Sequence, residues 1–149
     1  MKKKSKRYAD LHEHLAELKK RGLLLTIDRP VDKDAVLHPL VRWQYVGGVE
    51  EHERKAFLFT HVVDGRGRKY KFPVVVGAYA GNRAIYCIGM REKPEEVQSK
   101  WDHAIAKPVK PSVVSKAPSP EAVVKGASTY GLGTVLDSCL IPVSCARWD

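Results

Sequence analysis

The chain is poor in the residues that announce a chemistry. It has three cysteines, Cys87, Cys139 and Cys145, an odd number with no C-x-x-C pair. That suggests reduced thiols rather than a disulfide framework or a zinc site. No run approaches 18 uncharged apolar residues, the length a membrane helix needs. The basic start "MKKKSKRYADLHEHL" has no apolar stretch behind it, so it does not read as a secretory signal. The expected location is therefore the cytoplasm. Neither G-x-G-x-x-G nor a Walker loop occurs, and no Ser–His–Asp order or paired-carboxylate motif stands out. Internal repeats are absent.

What is present is ordinary soluble composition in a chain of 149 residues, 44% apolar and 29% charged. That length suits one domain and a fragment of a second. The net charge is +9, and it is uneven. Residues 1–30 carry nine Lys/Arg against four Asp/Glu, and residues 107–125 carry four Lys against Glu121. Residues 31–106 are nearly balanced, with twelve positive and ten negative side chains. The excess therefore belongs to a tail and a connector. A solvated basic tail accounts for it more simply than a nucleic-acid site.

Periodicity gives the elements. Tyr8, Leu11, Leu15 and Leu18 form one stripe of a helix, opened by an Asp10/Glu13 capping pattern and closed by Gly22. "LLLTI" then reads as a strand. Pro39 is costly inside a helix, so the next helix is placed with Pro39 at its start and Gly47 past its end. "KAFLFTHVV" and "FPVVVGAY" read as strands, the second suited to burial on both faces. "GNRAIYCIGM" reads as a short helix capped at Asn82. "EKPEEVQSKWDHAIA" reads as a helix with Pro94 in its first turn and Val97, Trp101 and Ile105 on one stripe. Trp101 is thus expected to be buried against "FPVVVG", with Trp101→Ala costing about 3–5 kcal/mol. The proline-rich stretch 107–126 reads as an extended linker, and "LDSCLIPVS" as a strand.

The candidate chemical residues are few. His12, His14, His38, His52, His61 and His103 show no metal-ligand spacing. His12 and His14, two apart, should point to different sides of their helix. Cys87 reads as a small apolar core residue, and Cys139 and Cys145 have no base partner in sequence. "GAYAGNR" places two glycines before a helix start, where phosphate can bind, but a packing turn is the better reading. No catalytic, cofactor-binding or metal-ligating residue is assigned.

Several segments, taken in order, do carry a resemblance. They are "DLHEHLAELKKRGLLLTIDRPVDKDAVLHPLVRW", "FLFTHVVDGRGRKYKFPVVVGAYAGNRAIYCIGM", "PEEVQSKWDHAI", "KPVKPSVV…AP…EAVVKG" and "LDSCLIPVS…WD". Together they resemble the N-terminal part of the UbiD-like carboxy-lyases, from about Tyr8 to Asp149. The resemblance implies a fold and an activity. The fold is α/β (α+β): a basic tail (1–7), an N-terminal α/β domain (8–106), a linker (107–126), and the first strand of an incomplete split β-barrel flavin-binding domain (127–149). The activity is non-oxidative decarboxylation of an aromatic or α,β-unsaturated acid with prenylated flavin mononucleotide and a divalent metal. The family's cofactor and catalytic residues lie downstream of Asp149. This chain alone is therefore expected to bind no flavin and to be a truncated product, a fragment, or one subunit of a split enzyme. Its partners would be the remaining decarboxylase domains or a companion subunit, in a homo-oligomer, with no membrane and no nucleic acid. Residues 8–106 should resist protease, 107–149 should be cut, and 135–145 should drive self-association. The alternative reading is a non-enzymatic basic α/β module that binds a partner subunit or nucleic acid.

Overall fold

The computed structural model describes Tyr8 and residues 10–113. They divide into two units, Met1–Val97 and Gln98–Asp149. Most of the regular structure lies in the first.

Helix α1 (Leu11–Lys20) starts where Asp10, itself extended, accepts the Glu13 N–H at 3.0 Å. This is the acceptor half of the capping pattern. The helix stops in a Schellman turn. The Leu23 N–H reaches back to the Leu18 carbonyl (2.9 Å) and that of Gly22 to Lys19 (3.0 Å), with Gly22 at φ 70°. The turn throws the chain directly into strand β1 (Leu24–Asp32).

A π-turn, Lys33–Leu37, then runs without a break into α2 (His38–Val46). Pro39 stands in the first turn of α2 and Gly47 is its C-cap, as the proline argument requires. The helical backbone nevertheless begins earlier than that argument expects. Asp32 caps the π-turn by accepting the N–H groups of Asp34 (2.7 Å) and Ala35 (3.0 Å). The loosened turn sits where proline offers no N–H.

After a 3-10 turn (Glu51–Glu53), strand β2 (Ala56–Val63) returns parallel to β1. Leu24 pairs with Ala56 and Ile27 with Phe59; the register slips, then Pro30 pairs with His61. The slip falls at Asp28 and Arg29, two polar residues on an edge strand. Strand β3 (Val74–Val76) pairs antiparallel to β2, so the order is β1-β2-β3. The central strand carries the burial, with Ala56, Phe57, Phe59 and Val62 all inside. The three valines of β3 are only half-buried. The expectation of two-sided burial fails because β3 is a short edge strand.

Helix α3 (Arg83–Met90) is capped by Asn82, whose side chain accepts the Ile85 N–H at 2.7 Å. Leu18, Ala56, Ala78, Ile85 and Ile88 form one core cluster, with Leu15, Leu23, Leu24 and Val75 packed against it. Burying each large member contributes about 1.5–3 kcal/mol. α1 and α3 thus meet over the start of β2.

Helix α4 (Val97–Ala106), all but its first residue in the second unit, begins three residues past Pro94 and buries nothing. Trp101 is 46% exposed and Ile105 74%. The expected burial of Trp101 is therefore wrong. A periodic stripe gives a helix the capacity to bury a face, and the described part of its own unit holds no core to take it. Residues 107–113 carry no helix or strand and are exposed. The basic tail 1–7, the rest of the linker, the strand at "LDSCLIPVS", the self-associating stretch 135–145, and Cys139 and Cys145 lie outside the described residues.

Candidate functional site

The polar groups of the first unit converge on residues 50–55, just before β2. Gln44, buried on α2, makes two bonds to the backbone of Lys55: its Nε2 donates to the carbonyl (3.1 Å) and its Oε1 accepts the N–H (2.9 Å). Asn82 donates to the Arg54 carbonyl at 2.7 Å while its oxygen caps α3. The Glu51 carboxylate accepts the Arg83 N–H. The Arg83 and Ile85 amides at the start of α3 are therefore already occupied by protein. "GAYAGNR" packs: a Cβ on Gly81 would stand 2.8 Å from Ile85 Cδ1, and Gly77 turns at φ 76° against Ala56 and Lys55. The two occupied amides and the packed glycines favour a packing turn over a phosphate site in this loop.

The histidines scatter, as their spacing implies. His12 is exposed, with Asp10 Oδ2 3.6 Å from its Nδ1. His61 lies in the open beside Asp28 (2.9 Å) and Thr60 (3.1 Å), and the Thr60 hydroxyl donates to Asp28 at 2.6 Å. His38, His52 and His103 are exposed. Among the described residues no three His, Cys, Asp or Glu side chains stand close enough to hold a metal.

His14 is different. It is fully buried, and its Nε2 lies 2.6 Å from the Ala78 carbonyl. A carbonyl only accepts, so Nε2 carries the proton. Nδ1 is buried with no hydrogen-bond partner among the described residues. The ring stacks on Tyr79 (4.7 Å, 6°) and meets Tyr8 edge-on (5.2 Å, 62°). The sequence did hold a signal for this: His14 lies three residues after Leu11 and four before Leu18, on the buried stripe.

Beside this cluster a half-open groove of about 710 Å³ runs between α1 and α3. Glu17, Arg21 and Leu23 border one side; Ala84, Cys87, Ile88 and Arg91 border the other; residues 92–94 and Glu96 close the end. Arg21 Nε donates to Glu17 at 2.6 Å. That bond, with the charge of Arg21, holds the Glu17 carboxyl below its usual range. Cys87 is a free, buried thiol on the floor.

No family model matches the chain, and no curated protein does. Solved structures do. Over 69% of this chain and 21% of the other, it aligns at TM-score 0.55 and 26% identity with an evolved dimeric form of the UbiD-class enzyme HmfF from Pelotomaculum thermopropionicum, in complex with prFMN. Its fold matches part of a UbiD-class enzyme. A second HmfF structure from the same organism, in complex with FMN, is 27% identical over 67% of this chain and 20% of that one, with TM-score 0.48. The chain thus spans about a fifth of the length of the structures it matches.

The start of α3 and the described acidic and histidine side chains make a poor fit for a flavin phosphate and its metal. The amides at the start of α3 are capped by Asn82 and Glu51. No acidic or histidine cluster stands among the described residues to take a divalent ion. No helix there is long and apolar enough to cross a membrane.

Proposed function

We propose that this chain supplies the N-terminal α/β domain of a UbiD-like decarboxylase, acting on an aromatic or α,β-unsaturated acid. The observation that carries the proposal is the alignment of 69% of this chain with a UbiD-class enzyme at TM-score 0.55 and 26% identity. The order of segments in the sequence resembles the same family independently. The role of the domain is structural. It presents a rigid α/β wall to the remaining decarboxylase domains or to a companion subunit, in a homo-oligomeric cytoplasmic enzyme. No described residue is given a catalytic, flavin-binding or metal-binding part, since none fits one.

Domain exchange tests this. Residues 8–113 replace the matched fifth of HmfF, and the chimera is compared with HmfF lacking that segment. The expected chimera is soluble, loads prFMN by its absorbance, and regains measurable activity. A chimera no better than the deletion would overturn the assignment.

A further inference from the structure

The groove between α1 and α3 has a charge pattern that its own residues leave incomplete. Arg21 is satisfied by Glu17 at 2.6 Å. Arg91 and Lys93 border the same groove, and neither is in a salt bridge among the described residues. Glu17 feels the charge of Arg91, but its hydrogen bond goes to Arg21.

Arg91 is also held in place. It is the C-cap of α3 and the one non-glycine residue at positive φ (56°) among those described. That conformation is strained for an L-residue. Glycine or asparagine would take the position with less strain. The arginine instead places its guanidinium 4.4 Å from the centroid of the Tyr8 ring. A guanidinium lying on an aromatic face keeps its N–H edges free for a planar acceptor. The floor beneath is apolar, with Cys87 and Ile88 lying one helical turn before Arg91. The groove's volume falls within the range of about 300–1,000 Å³ typical of small-molecule sites.

We propose that this groove binds a small amphiphilic monocarboxylate. Arg91 and Lys93 take the carboxylate, and Ala84, Cys87 and Ile88 take the apolar body. Glu92 and Glu96 also border the groove, so a dianion such as a phosphate ester would be opposed by two carboxylates. The proposal stands on the geometry of the first unit and does not depend on the decarboxylase assignment.

The test is an NMR titration of the full-length, 15N-labelled chain at fixed ionic strength. The probes are benzoate, benzyl alcohol and benzylammonium. Benzoate is expected to give saturable shifts at Tyr8 and in residues 84–93, and the other two far smaller ones. Arg91→Asn, which tolerates the left-handed turn, and Lys93→Gln should each weaken benzoate about tenfold, the loss expected for one charged hydrogen bond. Arg66→Gln, in the turn between β2 and β3, should leave it unchanged. The proposal is overturned by equal binding of benzyl alcohol, by no saturable benzoate shift, or by an equal loss from Arg66→Gln.

Discussion

α1 and α4 are both ten-residue helices with an apolar stripe, and they end differently. α1 buries His14 and Leu18 completely, while α4 buries no residue. Their sequences do not separate them: Val97, Trp101 and Ile105 make a stripe as regular as Leu11, Leu15 and Leu18. The surroundings do. α1 leaves through a Schellman turn that drops the chain into β1, and so it is tied to the sheet within four residues of its end. The division between the two units falls after the first residue of α4. Helical stability in proteins comes mostly from the packing of one face, not from propensity.

The sharpest way to break this comparison is a pair of aromatic deletions. Phe59, fully buried on the central strand, should cost about 3–5 kcal/mol when changed to Ala, a large share of a domain's total stability. Trp101→Ala on α4 should change stability by less than about 1 kcal/mol, as expected for a side chain already 46% exposed. Chemical denaturation measures both. A Trp101→Ala loss as large as that of Phe59→Ala would restore the burial expected from periodicity.

Next in size is the cap that joins α3 to the start of β2. Asn82→Ala removes both the α3 cap and the bond to the Arg54 carbonyl, and should cost about 1–3 kcal/mol. Asn82→Asp keeps the cap but loses the donor, and should fall between wild type and Asn82→Ala. Equal melting of all three proteins would mean that the 50–55 segment is held by other contacts.

How far the sequence could be read follows the same division between local and distant causes. Local chemistry was legible. Asp10 caps α1, Gly22 ends it, Pro39 and Gly47 bracket α2, and Asn82 opens α3, because each acts on backbone within a few residues. Burial decided by distant neighbours was not. Lys33 stands in a polar turn, yet it is 2% exposed, with its Nζ donating to Asp34 at 2.8 Å and lying 5.8 Å from the Tyr70 ring. Gln44 looks like a solvent residue, and it is the clamp between α2 and β2. The valines of β3 looked like a buried strand and are an edge. In the groove, Glu17 and Arg21 were readable as an i,i+4 pair, but nothing local brings Tyr8 beneath Arg91.

A smaller effect is expected from pH. The carboxyls of Asp10, Glu17, Asp28 and Asp64 are all held below their ordinary values of 3.8 for Asp and 4.5 for Glu. The largest cause is the Arg68 backbone N–H for Asp64 and the Thr60 hydroxyl for Asp28. A depressed folded pKa contributes stability above the unfolded value and loses it as pH falls through the folded one. The melting temperature should therefore hold down to about pH 5 and decline below about pH 4. Asp64→Asn should make that decline shallower. An unchanged slope in Asp64→Asn would remove Asp64 from the account.

The central claim is that the sheet around β2 is the folding unit and that α4 lies outside it. Native-state hydrogen exchange tests it most directly, because protected amides report the free energy of the opening that exposes them. The amides of Phe57 and Phe59 should exchange only through global unfolding. Those of α4 should exchange through a much cheaper local opening, insensitive to Asn82→Ala. If α4 and β2 exchanged with the same free energy, and both fell together in Asn82→Ala, the two-region account would be contradicted.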